Sequence, residues 1–419
     1  MEFIRAIENP RKCMQRLGFL KWLAFYCSKS ATSNLSILGN NLISTVSKKI
    51  LVPVTEELIL YIKSALVSPV HRGIFAQVNQ QKNEGDIKKT ISVELQDAYL
   101  SSFDLPSRRG RLAKDEWFEY PSLAIGLALI KKGTYSLSVR GVSFLSLVIK
   151  EEIDAFKQYD KEFNPFKMSM KQKLLLLYCL VDNDGQMLKP LYKDIIKKDN
   201  TFSDIEASES LDEIFSGLLK ESRPRVRSGD DIKRIQRIEK TIERLKTVKG
   251  KPSTGGGGVR HETIAVRLEP FVDLGLLLKP DPFAYRYRST DATKSFFEPL
   301  ICSDGIDVFL RNSFFSTVNS TYKLDAVHHT GRDIVLPAIQ KAFITLKSPL
   351  GYAPILEVSL LAAINSITEN RTFFELSECL EILKSIQKER PELVRFNVDR
   401  WGTLTFVKFN GDITKAIGA

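Results

Sequence analysis

The chain has 419 residues, 43% of them hydrophobic and 26% charged, an ordinary globular mixture with material for several cores. Its formal net charge of +11 at pH 7 favours anionic partners, such as nucleic acid, acidic protein or an anionic membrane surface. Five scattered cysteines argue against a disulfide framework and for a reducing compartment, so we predict a cytoplasmic protein. No run approaches the roughly eighteen apolar residues of a transmembrane helix, so we predict no membrane partner.

The first predicted region is helical and covers residues 1–89. Residues 51–67 carry apolar side chains at helical spacing. The apolar run at 19–27 is interrupted by Lys21, which favours an amphipathic helix over a signal peptide. The polar stretch 79–89 marks the end of this region.

The second predicted region covers residues 90–160. Lys131 to Gly133 form a turn, and residues 134–140 then alternate apolar and polar side chains, which predicts a β-hairpin. An apolar run at 142–149 predicts a helix after the hairpin.

The third predicted region covers residues 161–300. It begins with helices at 171–180 and 188–198, joined by a turn at the Asp-Asn-Asp-Gly sequence of 182–185. After a basic insertion at 223–258, a helix is predicted over 259–278. An alternating aromatic and basic strand at 283–289 follows it, and Asp291 is predicted as the N-cap of the next helix.

The insertion is the most biased stretch of the chain. Residues 223–251 contain eleven Lys and Arg but four Asp and Glu, a net charge of +7. Ile235, Ile238, Ile242 and Leu245 repeat at intervals of three and four residues, which predicts a helix with a narrow apolar seam. That seam predicts a homodimer through 230–248. The glycines at 255–258 lack the Lys-Ser/Thr of a phosphate-binding loop and are interpreted as a linker.

The last predicted region covers residues 301–419. Helices are predicted at 335–346, 354–367 and 374–389. The chain closes with the clearest hairpin signal of the sequence, two strands within 393–409 joined by a turn at 399–402. The predicted fold is therefore mainly α with small β-hairpins, of the α+β class.

Three stretches resemble the end of a winged-helix module, in which a helix-turn-helix is followed by a β-hairpin wing. They lie at 127–141, 274–290 and 393–409. The resemblance implies tandem winged-helix-like domains after the helical N-terminal region. It also implies that one helix enters the major groove of DNA while the wing follows the backbone. Winged helices also act as protein–protein adaptors, so the resemblance does not by itself give the function.

Phosphate contacts require Lys and Arg on helix ends and wings, and the basic clusters fall on those elements. The alternative interpretation is that these runs are solvated surface, and that Trp401 folds onto its own hairpin. Tyr285 and Tyr287 are interpreted as packing residues. The predicted nucleic-acid-binding residues are Arg108, Arg109, Arg111, Lys114, Arg223, Arg225, Arg227, Lys233, Arg234, Arg237, Arg260, Arg267, Arg286, Arg288, Arg400 and Trp401.

No catalytic signature is present in the sequence. There is no phosphate-binding loop, no HExxH zinc motif, no GxSxG elbow and no kinase signature. The four histidines are few and scattered, and His328-His329 is interpreted as a surface loop. We therefore predict no catalytic residue, no metal, no cofactor and no enzymatic activity.

These observations predict a non-enzymatic subunit that binds nucleic acid, in particular duplex DNA. It is expected to work with other protein subunits in a DNA-processing or prokaryotic antiviral defence assembly. One alternative is a sequence-specific transcription or replication-initiation regulator, and another is a kleisin-like protein–protein adaptor.

Overall fold

The computed structural model describes residues 7, 17–29, 119–149, 152, 168–198, 200–225, 229–247, 259–280, 286–399 and 403–416. Most of these residues are helical, and the strands are short and form sheets of two or three. The predicted mainly α fold with small β elements is therefore confirmed. The helix predicted at 51–67 lies outside the described residues.

The helices of the described chain are α1 (Phe19–Lys29), α2 (Glu119–Gly126), α3 (Val139–Ser146), α4 (Met170–Ile195), α5 (Asp204–Ala207), α6 (Leu211–Ser222), α7 (Gly229–Thr247), α8 (Val259–Asp273), α9 (Asp291–Cys302), α10 (Ile306–Asn312), α11 (Phe314–Tyr322), α12 (Arg332–Leu346), α13 (Ile355–Asn365) and α14 (Leu376–Glu389). A π-helical turn at Ser366–Asn370 extends α13, and short 3-10 helices lie at Arg223–Arg225 and Ile413–Ala416.

The strands of the described chain are β1 (Phe202–Ser203), β2 (Leu277–Leu278), β3 (Arg286–Ser289), β4 (Val327–His328), β5 (Ala353–Pro354), β6 (Thr372–Phe373), β7 (Val394–Val398) and β8 (Leu404–Phe409). The helices predicted within 301–419 and the hairpin at 393–409 are confirmed, with shifts of a few residues at their ends.

Helix α4 is continuous, so the turn predicted at 182–185 is wrong. Gly185 serves helix packing, because a Cβ atom there would lie 2.9 Å from Cδ1 of Ile306 on α10. The side chain of Asn183 donates to the carbonyl of Cys179 at 2.8 Å, one turn earlier in the same helix. The residues at 182–185 would indicate a turn if the local sequence were considered alone. They fit within the helix because Asn183 has a hydrogen-bond partner there and Gly185 leaves room for the neighbouring helix.

The strand predicted over 134–140 is also wrong. A single antiparallel bridge joins Ile130 to Leu137, and helix α3 already begins at Val139. The hydroxyl of Ser138 caps that helix by accepting from the amide of Gly141 at 3.0 Å. The last residues of the predicted strand therefore form the N-cap and the first turn of α3 instead.

The buried apolar residues of the described chain form one continuous cluster. Helix α4 lies at its centre and contacts α6, α9, α10 and α13. Tyr192 of α4 stacks on Phe297 of α9 with ring centroids 3.5 Å apart. The core therefore continues across the boundary predicted at residue 300.

Two three-stranded sheets repeat one arrangement. In one the strand order is β1-β3-β2, and in the other it is β5-β8-β7. In each, the first strand leads directly into a helix, a later helix precedes the second strand, and the third strand lies in the middle. The registers also match, since Phe202 pairs with Tyr287 in the first repeat and Ala353 pairs with Val407 in the second. The first repeat differs by the insertion of α6 and α7 before α8.

Candidate nucleic-acid interface

The third strand of the first repeat displays two arginines. Tyr287 of β3 is fully buried, and its hydroxyl donates to Oε1 of Glu269 at 2.6 Å. Because successive strand residues face opposite sides of a sheet, Arg286 and Arg288 point outward, and both are exposed. The predicted packing of Tyr287 is therefore confirmed.

The surroundings of these arginines combine polar and apolar groups. Leu278 lies directly across from Arg288 and is 45% exposed. Glu206 of α5 accepts from the amide of Ser203, which holds the pKa of Glu206 below its ordinary value; the nearby charge of Arg286 acts in the same direction. The outer face of this first sheet therefore carries two guanidinium groups with one carboxylate at its edge.

The second repeat also presents cations on its sheet. Val394 and Val407 are buried, so Arg395 on β7 and Lys408 on β8 face outward as a directly opposed cross-strand pair. We call Arg395, Asn397, Phe406 and Lys408 the outer face of the C-terminal sheet. Like charges that face each other across strands repel, so this pair is suited to an anion that lies between them.

The predicted list of binding residues lacks Phe406 and Lys408. No basic cluster marks them in the sequence, and their position depends on the register of β7 against β8. A β-bulge near Asn397 and Val398 shifts that register. The alternation of β8 is the signal that could have found them, once the inward side of Val407 was known.

Helix α7 is a basic helix packed within the chain. The apolar seam residues Ile235, Ile238 and Ile242 are buried, and α7 contacts α6 and α8. The predicted helix is therefore confirmed, and these three seam residues pack inside the chain; the homodimer through 230–248 stays a prediction. The exposed basic residues of this helix include Lys233, Arg237 and Lys240.

Arg223 forms an ion pair within the basic segment 223–258. Its guanidinium forms an ion pair with Glu239 of α7 at 2.5 Å, between two exposed side chains. The remaining predicted binding residues fall into two groups. Only the backbone is described for Arg225, Arg234 and Arg260. The residues Arg108, Arg109, Arg111, Lys114, Arg227, Arg400 and Trp401 lie outside the described residues.

Arg267 is not a surface ligand, so its prediction as a nucleic-acid contact is corrected. Its side chain is 3% exposed and forms a two-point ion pair with Asp184 of α4, at 2.7 and 3.0 Å. The same guanidinium donates to the carbonyl of Ile7, whose amide donates to Asp184 at 2.8 Å. Burial raises the pKa of Asp184, and the charge of Arg267 opposes that shift. The pair ties α8 to α4 inside the core.

The helices before the two hairpins are poorly suited to phosphate. Residues 266–271 of α8 are all buried. Helix α14 exposes Glu381, Lys388 and Glu389, and the Nζ of Lys384 pairs with Glu381 at 2.7 Å. Thirteen Lys and Arg balance thirteen Asp and Glu within 301–419, so this part of the chain has no net charge. Cations face outward on the strands, whereas the described side chains of these two helices are buried or of mixed charge.

A cleft of about 550 Å³ lies between α10, α13, α14 and the start of β8. Ile355, Leu376 and Leu380 contribute apolar lining, and the charged lining consists of Arg311 and the paired Lys384 and Glu381. No group of three or more His, Cys, Asp or Glu that could hold a metal ion occurs among the described residues. In the same part of the chain, no helix has the length and apolarity needed to span a membrane.

The four cysteines within the described residues, Cys27, Cys179, Cys302 and Cys379, form no disulfide. Burial raises the pKa of Cys27 to about 11 and that of Cys179 to about 12, so both are protonated at neutral pH. They are poor nucleophiles and act as small apolar side chains.

Comparison of the chain with protein-family models, with curated proteins and with solved structures gave no match.

Proposed function

We propose that the chain is a non-enzymatic nucleic-acid-binding protein that holds the backbone of duplex DNA on the outer faces of two winged-helix-like repeats. The shared element order and the middle position of the third strand support the assignment of both repeats. A winged helix has this arrangement because its hairpin packs beside the strand that precedes the second helix.

One observation carries the proposal. Arg288 and Lys408 occupy the same register position in the two sheets, each on the outward side of the middle strand. Each faces an exposed residue on the neighbouring strand, Leu278 in the first sheet and Arg395 in the second. Cations at these positions can contact the phosphates of duplex DNA, because the duplex carries a dense line of negative charge.

The proposed contact is independent of base sequence. Base readout in the major groove requires an exposed helix with suitable side chains, whereas α8 is buried over 266–271 and α14 exposes Glu381 and Glu389 with one cation, Lys388. Backbone contacts position a protein on DNA without reading the bases. These features favour a DNA-holding subunit over the sequence-specific regulator.

The test is a duplex titration by fluorescence anisotropy at several salt concentrations. We expect affinity to fall steeply with salt, with the slope reduced by about two in Arg286→Glu/Arg288→Glu and again in Arg395→Glu/Lys408→Glu, because each phosphate contact contributes about 0.9. The matched control is Lys384→Glu/Lys388→Glu on α14, which should leave the slope unchanged. Salt-insensitive binding, or an equal loss in the α14 variant, would contradict the proposal.

A protein–protein adaptor is the second candidate, favoured by the cleft and by the lack of net charge in 301–419. Under that function the two charge-reversed sheet variants would bind a partner subunit as the wild type does. The larger assembly, its defence role and the cytoplasmic location stay predictions from the sequence.

A further inference from the structure

The two outer sheet faces differ in one respect. The middle strand of the C-terminal sheet exposes an aromatic ring, Phe406, which is 42% accessible. Arg286 occupies the corresponding position in the first repeat, since Ser203 pairs with Arg286 and Pro354 pairs with Phe406. One face therefore offers two guanidinium groups, and the other offers a ring beside cations.

The ring and the cations lie close together on the C-terminal sheet. Phe406 and Lys408 are two residues apart on β8, so they share a face at a separation of about 7 Å. Arg395 lies opposite Lys408, and Asn397 lies opposite Phe406. The strands β5, β7 and β8 contain no Asp or Glu, so the charge of this face is positive.

A second aromatic residue borders one of these cations. The Nζ of Lys408 lies 5.3 Å from the ring centroid of Tyr352, which is half-buried. Gly351 has a φ of +77° and lies under the Lys408 chain, where an added Cβ would be 3.6 Å from Cε. This contact holds the lysine against the sheet rather than extended into solvent.

We propose that the outer face of the C-terminal sheet binds single-stranded nucleic acid, with a base stacked on Phe406 and a neighbouring phosphate between Arg395 and Lys408. The proposal rests on the proposed function: the cations that hold a duplex backbone on this sheet also hold the backbone of a single strand, and Phe406 adds a stacking contact that only unpaired bases can make. Bases within a duplex are stacked on each other and cannot reach a ring on a protein surface. An unpaired base can stack, and base–aromatic stacking is tolerant of sequence.

The experiment compares the full chain and three variants by anisotropy at one salt concentration. The probes are a labelled oligodeoxythymidylate of about 12 nucleotides, an oligouridylate of equal length, and a duplex. The variants are Phe406→Ala, Phe406→Tyr and the control Val398→Ala, which shortens another exposed apolar side chain of the same hairpin.

We expect Phe406→Ala to weaken binding of at least one single strand by about tenfold or more and duplex binding by less than about twofold. Phe406→Tyr keeps the ring and should retain single-strand affinity, and Val398→Ala should match the wild type. Equal losses on both ligand classes, or no loss on either single strand, would overturn the inference. If the wild type binds duplex but neither single strand, the inference fails while the proposed function stands.

Discussion

The carboxylate of Glu375 accepts hydrogen bonds from the amide of Phe315 at 3.0 Å and from the amide of Ser316 at 2.7 Å. Those amides belong to the first turn of α11, where backbone donors lack partners within the helix. Glu375 lies just before α14, so one buried side chain joins the starts of two helices. The contact fixes the second repeat against the helices that precede it.

We therefore expect Glu375→Ala to lower the free energy of unfolding by about 1–3 kcal/mol, because buried amides lose their acceptor. Urea denaturation followed by circular dichroism measures the change. The control is Glu381→Ala on α14, whose exposed pair with Lys384 is worth about 0.5 kcal/mol or less. Equal effects of the two changes would show that the cap contributes nothing special.

The buried pair of Arg267 and Asp184 predicts a strongly non-additive cycle. Asp184→Ala should cost about 3–5 kcal/mol, since it leaves the guanidinium charged in the core. Asp184→Leu combined with Arg267→Met should recover more than half of that loss. The control is Asp182→Ala on the same helix, because its partner Arg140 keeps Glu357 at 2.8 Å. Additive single effects in chemical denaturation would refute the pairing.

Two glycines predict opposite responses to alanine. A Cβ at Gly141 would lie 2.0 Å from the carbonyl oxygen of Leu129, a backbone atom that cannot yield easily. Gly141→Ala should therefore destabilise the protein by about 1–3 kcal/mol or more. Gly217 is exposed on α6 with open space around it, so Gly217→Ala should stabilise by up to about 1 kcal/mol. Thermal unfolding of both variants checks the sign, and a shared sign would contradict this prediction.

The ion pair of Arg332 and Glu389 predicts a pH-dependent contribution to stability. The Nη1 of Arg332 donates to Oε2 of Glu389 at 2.7 Å, and this bond, together with one from the hydroxyl of Ser385, lowers the pKa of Glu389 from 4.5 to about 2. A carboxyl whose pKa is depressed by folding stabilises the fold above its unfolded pKa and loses that effect as the pH falls through the folded value. The Tm difference between wild type and Glu389→Gln should be constant above pH 4.5 and vanish near pH 2.

Arg332→Gln should reproduce that pH profile, because either change removes the pair. A small acid-dependent remainder is expected in the Arg332→Gln background, because the hydroxyl of Ser385 also donates to Glu389 at 2.7 Å. An undiminished difference there would contradict the prediction.

Apolar periodicity correctly predicted the elements whose buried face is set by residues that are close together in the sequence. The helix around Ile235, Ile238 and Ile242 and the hairpin at 393–409 follow directly from apolar spacing of about 3.6 and of 2. The polar sequence at 182–185 led to a wrongly predicted turn, because Gly185 is required for close packing against Ile306, which lies far away along the chain. Local signals contain no information about such a neighbour.

The candidate site also has some features that local sequence patterns predict and others that depend on residues far away along the chain. The outward direction of Arg286 and Arg288 followed from strand alternation once Tyr287 was assigned to the core. The burial of Arg267 did not, because basic residues at the start of a helix look alike until Asp184 is placed beside one of them. The pairing of Arg395 with Lys408 depends on a bulge, which no spacing rule reveals.

The insertion of α6 and α7 has a consequence for how this architecture varies. Between the helix that follows the first strand and the helix that precedes the second strand, one repeat accommodates residues 208–258, and the other accommodates 366–375. The strand pairing is the same in both, so this junction tolerates length changes without disturbing the sheet. A charged segment such as α7 can therefore be added at this junction without changing the residues that form the repeat.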